Sequence, residues 1–161
     1  NLAIITAILN KGDTMSKTVK QLNKLQADAH AFFVAFHDYH WNVKGLQFAQ
    51  VHAYTEKAYD EMGELFDDMA ERALQIGGKA VTKAKDLIEL SKDAPISVKD
   101  SYSVSEVLED VKKAYEYLVK EFKKLQEIAE EEGDDTTSNI AQDHYGDYEK
   151  RLWMLSSMLS K

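Results

Sequence analysis

The chain has 161 residues, 44% of them hydrophobic, which suits a single domain with one buried core. It contains no cysteine, which excludes disulfides and thiolate metal sites and leaves histidine and carboxylates as the available metal donors. A net charge of -8 argues against a surface adapted as a whole to a phosphate backbone and suits attraction of cations, and no run is long enough to span a bilayer.

The apolar stretch at residues 2–9 lacks a basic flank and a small-residue cleavage site, so it does not read as a signal peptide, and a cytoplasmic location is the expectation. Met15-Ser-Lys looks like a natural start. Residues 1–16 are therefore read as an N-terminal extension and 17–161 as the domain. With one proline, seven glycines and a predominance of Ala, Leu, Glu and Lys, the fold class is all-α. Leu22, Leu25, Ala29, Phe32, Phe33, Phe36, His40 and Val43 recur at helical spacing and predict a first long helix from 17 to about 43, stopped by Gly45. His30 and His37 fall on its flank and read as structural or surface residues.

A second helix is predicted over 48–76, ended by Gly77-Gly78, with Val51, Tyr54, Ala58, Met62, Leu65, Met69 and Ala73 as its core stripe. A short helix fits 81–90 and a connecting loop 92–102. Ser103 and Glu106 form a capping box opening a third long helix that Gly133 ends, with Val107, Val111, Ala114, Tyr115, Leu118, Phe122, Leu125 and Ala129 inside. Asp135 or Thr136 is placed to cap the last helix, whose inner face carries Ile140, His144, Tyr148, Leu152, Leu155 and Leu159. Four long helices, with 26 residues between Ile76 and Ser103 available as a crossover, predict a ferritin-like four-helix bundle with a short extra helix in that crossover.

The chemistry concentrates on the second helix. His52, Glu56, Asp67 and Glu71 are separated by 4, 11 and 4 positions, so all lie within a stripe roughly 100° wide, centred about 150° from the core stripe. A polar stripe opposite a core is most often simply solvated. His40, on the apolar face of the first helix, likewise reads on spacing alone as a satisfied core histidine.

The segment between these helices changes that balance. HWNVKGLQF from His40, a second histidine twelve residues after the first, and then D-D-M-A-E-R closely resemble the Dps proteins, the mini-ferritins of bacteria. The correspondence holds at matching spacing over residues 28–72 and continues more loosely through Lys150-Arg-Leu-Trp-Met-Leu155. This resemblance implies a ferroxidase centre carried by His40, His52, Glu56, Asp67 and Glu71, which binds Fe(II) and oxidises it to Fe(III). Family members often have Asp where this chain has Glu56. It further implies hydrogen peroxide as preferred oxidant over oxygen, and Fe(III) mineral held in a hollow dodecamer built from two-fold dimers. Trp41 is implied to lie near the iron centre as a redox aromatic, and Asp134, Asp135 and Asp143 to line an iron-entry pore at a three-fold axis. Asp60 has no such support and reads as a surface acid.

No Glu-x-x-His motif of the kind that builds bundle-core di-iron sites is present. Because the acids of the second helix face outward, a first-helix histidine completes their coordination only if another subunit supplies it. That expectation agrees with the interfacial centre implied by the resemblance, two equivalent sites per two-fold dimer. Two other functions compete: nucleic-acid compaction, as in relatives with lysine-rich tails, and a helical scaffold without metal chemistry. Lys11, Lys17, Lys20 and Lys24 are the only basic residues among the first 30, so DNA binding is expected to be weak.

Overall fold

The computed structural model describes residues 15–160; most of the expected N-terminal extension, residues 1–14, lies outside the described residues. Helix α1 spans Lys17–Asn42, and Ser16, the last residue of that expected extension, caps it by accepting the Val19 N–H at 3.1 Å. Helix α2 spans Phe48–Gln75 and returns antiparallel along α1. The crossover contains α3, Ala84–Leu90, shorter than the predicted 81–90. Helix α4, Val104–Glu132, and helix α5, Asp135–Leu159, form a second hairpin, and α1 packs across α4 to join the two. None of these helices is long and apolar enough to cross a membrane.

The helix boundaries follow local chemistry. Ser103 and Glu106 make the full capping box, while Gly133 takes φ 75° in the left-handed conformation that closes α4. At α5 the expectation needs correcting: the cap is Asp134, not Asp135 or Thr136. Its carboxylate accepts the Thr137 N–H at 3.0 Å, the third residue into the helix. Gly45 lies beyond a short strand rather than at the helix end. α1 stops at Asn42, and β1, Val43–Lys44, pairs in parallel with β2, Tyr102–Ser103, before the chain turns at Gly45 with φ 137°. That pairing fixes the end of the crossover beside the C-terminal end of α1, so the crossover runs the length of the bundle.

The core is built from the predicted stripes. Leu22, Leu25, Phe32 and Phe36 of α1 meet Met62 and Met69 of α2 and Tyr115, Leu118, Phe122 and Leu125 of α4, all sealed from solvent. Burial of each large side chain contributes about 1.5–3 kcal/mol. Phe33, predicted to be inside, is 36% exposed, because one residue past Phe32 turns it onto the α2 flank beside Gly63. The α1–α4 seam also holds a polar group not expected from the periodicity. Asp28 is fully buried, and one of its oxygens accepts from Lys24 Nζ at 2.9 Å and from Tyr117 Oη at 3.2 Å. Burial outweighs those bonds and pushes the Asp28 carboxyl up to about 6.

Candidate metal centre

Both candidate histidine ligands sit where the C-terminal end of α1 meets the first turns of α2. Their rings stack with centroids 3.5 Å apart and planes 21° from parallel. Each is fixed by the other's backbone: His40 Nδ1 lies 2.8 Å from the His52 carbonyl oxygen, and His52 Nδ1 lies 2.9 Å from the His40 carbonyl oxygen. A carbonyl only accepts, so both Nδ1 atoms carry the proton. In neutral imidazole the lone pair is then left on Nε2. Buried Thr55 sits under the pair. Its hydroxyl is within hydrogen-bonding distance of the Val51 and His52 carbonyls, and its oxygen lies 3.2 Å from His40 Nδ1. Fixing one ring nitrogen to a backbone oxygen so that the other is free is the usual second-layer arrangement of a metal-binding histidine.

Of the candidate carboxylates only Glu56 lies within one helical turn of His52, and Asp67 and Glu71 are further along the helix. Glu56, Asp67 and Glu71 are exposed on the outer face of α2, as is Asp60, while His52 is half-buried and turned back toward α1. The expected stripe is therefore split, since its histidine end leans on the neighbouring helix and its acidic end faces away. From His52 to Asp67 is fifteen residues of helix, about 22 Å. Among the described residues of one chain, no group of three or more His, Asp and Glu side chains lies close enough to hold one metal ion.

The remaining candidates separate by environment. Trp41 is 68% exposed, and its ring lies 5.3 Å from His37. The ring edge-on to His40, at 5.3 Å, belongs to Tyr59, which stacks on His37 at 3.7 Å. Periodicity missed Tyr59 and Thr55. Thr55 is a polar residue inside the α2 apolar stripe, and that interruption was the available signal. Asp134 is engaged inside the chain: besides capping α5 it accepts from Arg72 Nη2 at 2.9 Å, and Arg72 Nε donates to Thr137 Oγ1. Although partial burial opposes it, bonding from Thr137 and Arg72 holds the Asp134 carboxyl below the usual carboxylate range. Asp135 and Asp143 are exposed, and Asp143 lines a shallow cleft with Ile140, His144 and Asp147. His144 stacks on Phe122, and burial lowers its pKa against the raising effect of Asp68, Asp143 and Asp147.

The family model for the ferritin-like domain matches residues 19–161. The DNA protection during starvation protein of Helicobacter pylori is 38% identical over 144 residues, covering 89% of this chain and 99% of that protein. The chain belongs to the Dps family of ferritin-like proteins. In three dimensions, Helicobacter cinaedi CAIP superposes with a TM-score of 0.86 at 37% identity, over 89% of this chain and 100% of the other. The Dps of Vibrio cholerae O1, described as a member of the ferritin-like diiron-carboxylate proteins, gives 0.83 at 26% identity, over 89% of each chain. This Dps chain thus carries the family fold along nearly its whole described length.

Proposed function

We propose that this Dps chain is an iron-oxidising mini-ferritin whose centre is completed across a two-fold subunit interface. His40 and His52 of one subunit would face Asp67 and Glu71 of another, with Glu56 near the shared site. The observation that carries this reading is the reciprocal Nδ1–H bonding of His40 and His52. It leaves Nε2 of each ring free to bind a metal, while the exposed acids Asp67 and Glu71 begin about 22 Å further along the helix. Imidazole nitrogen suits Fe(II), and hard carboxylate oxygen suits Fe(III), so the mixed set tolerates an iron substrate that changes oxidation state.

The proposed reaction takes Fe(II) and hydrogen peroxide. Two Fe(II) each give one electron, the O–O bond breaks, and two protons taken up from solution complete two water molecules, so no hydroxyl radical is released. The Fe(III) product would be kept as mineral within a closed homo-oligomer, a dodecamer by analogy with the family. Exposed Asp135 and Asp143 are the pore candidates that remain available to incoming cations, since Asp134 is occupied by Arg72 and Thr137. The test is stopped-flow Fe(II) oxidation by purified protein with peroxide or oxygen supplied separately. Fast oxidation with peroxide is expected, and a rate no higher than that of protein-free buffer rejects the reading.

A second reading, DNA binding, takes its support from the names of the relatives and from Lys20, Lys79 and Lys83, which line one cleft beside α1. With a net charge of -8 the expected binding is weak and steeply salt-dependent, which a shift assay across ionic strength would reveal.

A further inference from the structure

The aromatic ring that meets the edge of His40 is not the neighbouring tryptophan but Tyr59. Its ring centroid is 5.3 Å from that of His40 at 89°, and 3.7 Å from that of His37 at 20°, and His37 in turn lies 5.3 Å from Trp41. His52, His40, Tyr59, His37 and Trp41 therefore form one unbroken run of rings from the histidine pair to the exposed indole. Within this run Tyr59 and Trp41 are the two rings able to give up an electron. Tyr59 stands next to the histidine pair, and Trp41 stands behind it. Tyr59 is half-buried.

We propose that Tyr59 is a one-electron donor to the iron centre, acting when peroxide meets a site that holds a single Fe(II). This rests on the iron-oxidation reading above. One electron then comes from Fe(II) and one from Tyr59, whose phenolic proton passes to water. The peroxide O–O bond breaks, and that proton with one more taken up from solution completes two water molecules. The product is one Fe(III) and a neutral tyrosyl radical. The next Fe(II) returns the electron, a proton from water restores the phenol, and the balance over both steps is that of two Fe(II) per peroxide. His37 holds the Tyr59 ring in place: its own Nδ1 is bound to the Phe33 carbonyl at 2.7 Å, which fixes the face on which Tyr59 stacks.

The experiment uses the assembled full chain, loaded with one Fe(II) per subunit, mixed with peroxide and freeze-quenched for electron paramagnetic resonance. Wild type is expected to give a radical signal that narrows when the protein is grown on ring-deuterated tyrosine. Tyr59→Phe, which keeps the ring and its stack, should lose most of that signal. An undiminished tyrosyl signal in Tyr59→Phe overturns the assignment, as does a signal that disappears only in Trp41→Phe. Normal iron oxidation in wild type with no radical at all overturns the Tyr59 proposal alone. Absent iron oxidation in wild type removes the underlying function as well.

Discussion

His40 and His52 each hold the other's ring by the backbone, through Nδ1 to carbonyl contacts of 2.8 and 2.9 Å that close a ring of bonds between the end of α1 and the start of α2. The local fold and the tautomer of both imidazoles are thus one property. Thr55 extends it, with its hydroxyl 3.2 Å from His40 Nδ1. Replacing Thr55 with valine is expected to leave the helices formed but to loosen the His40 ring. Affinity for Co(II), followed by its visible absorption, should fall by roughly tenfold or more, as for other outer-layer partners of metal-binding histidines. Unchanged affinity would separate Thr55 from the site.

Asp67→Ala with Glu71→Ala should preserve helical content and melting behaviour, because both side chains are exposed and off the core stripe. The fast phase of peroxide-driven Fe(II) oxidation should vanish in the same protein. Circular dichroism and stopped-flow absorbance on one preparation check both halves.

Much of this is legible in the amino-acid sequence alone, and the parts that are not have physical causes. Ser103, Glu106 and Gly133 could be read because caps act over three or four residues. Asp134 and Asp135 are adjacent acids, so the choice of cap turned on one residue and on Arg72, 62 positions away. The β1–β2 pair is two residues long and joins positions 59 apart, beyond any local pattern. Asp28 was hidden for a similar reason. Lys24 lies four residues before it on the same helix, but Tyr117 arrives from α4. At the site, the 4–11–4 spacing and the HWNVKG motif exposed the candidate ligands, but not the inward turn of His52, which depends on stacking against His40.

Asp28 makes a prediction in pH. Its folded-state pKa of about 6 lies above the ordinary 3.8, so between those values the folded chain holds a proton that the unfolded chain has released. Stability contributed by this group is therefore present below about pH 4 and lost as pH rises through about 6. The change is on the order of 2–3 kcal/mol over that window. Asp28→Asn should lack this component, so the difference between wild-type and variant unfolding free energies should vary from pH 4 to 6 and level off above it. A constant difference over that range would contradict the assignment.

Arg72, Asp134 and Thr137 tie the end of α2 to the start of α5. Asp134→Ala removes a helix cap and a half-buried ion-pair partner together, and should cost about 1–3 kcal/mol in chemical unfolding. Asp143→Ala, at an exposed position, should stay within about 0.5 kcal/mol of wild type. If Asp143 lies on an entry route for cations, that variant should slow iron uptake without loss of stability.

Whether one working centre draws on two chains is tested most directly by mixing subunits. Chains with His40→Ala and His52→Ala keep the acids, and chains with Asp67→Ala and Glu71→Ala keep the histidines, so neither assembles a full set alone. Co-expressed at equal levels, with mixed particles confirmed by native mass spectrometry, half the dimers are mixed and each of those carries one complete site. The account predicts recovery of about a quarter of the wild-type Fe(II) oxidation rate with peroxide, from parents that are both inactive. Confirmed mixed particles no more active than either parent would contradict a shared centre.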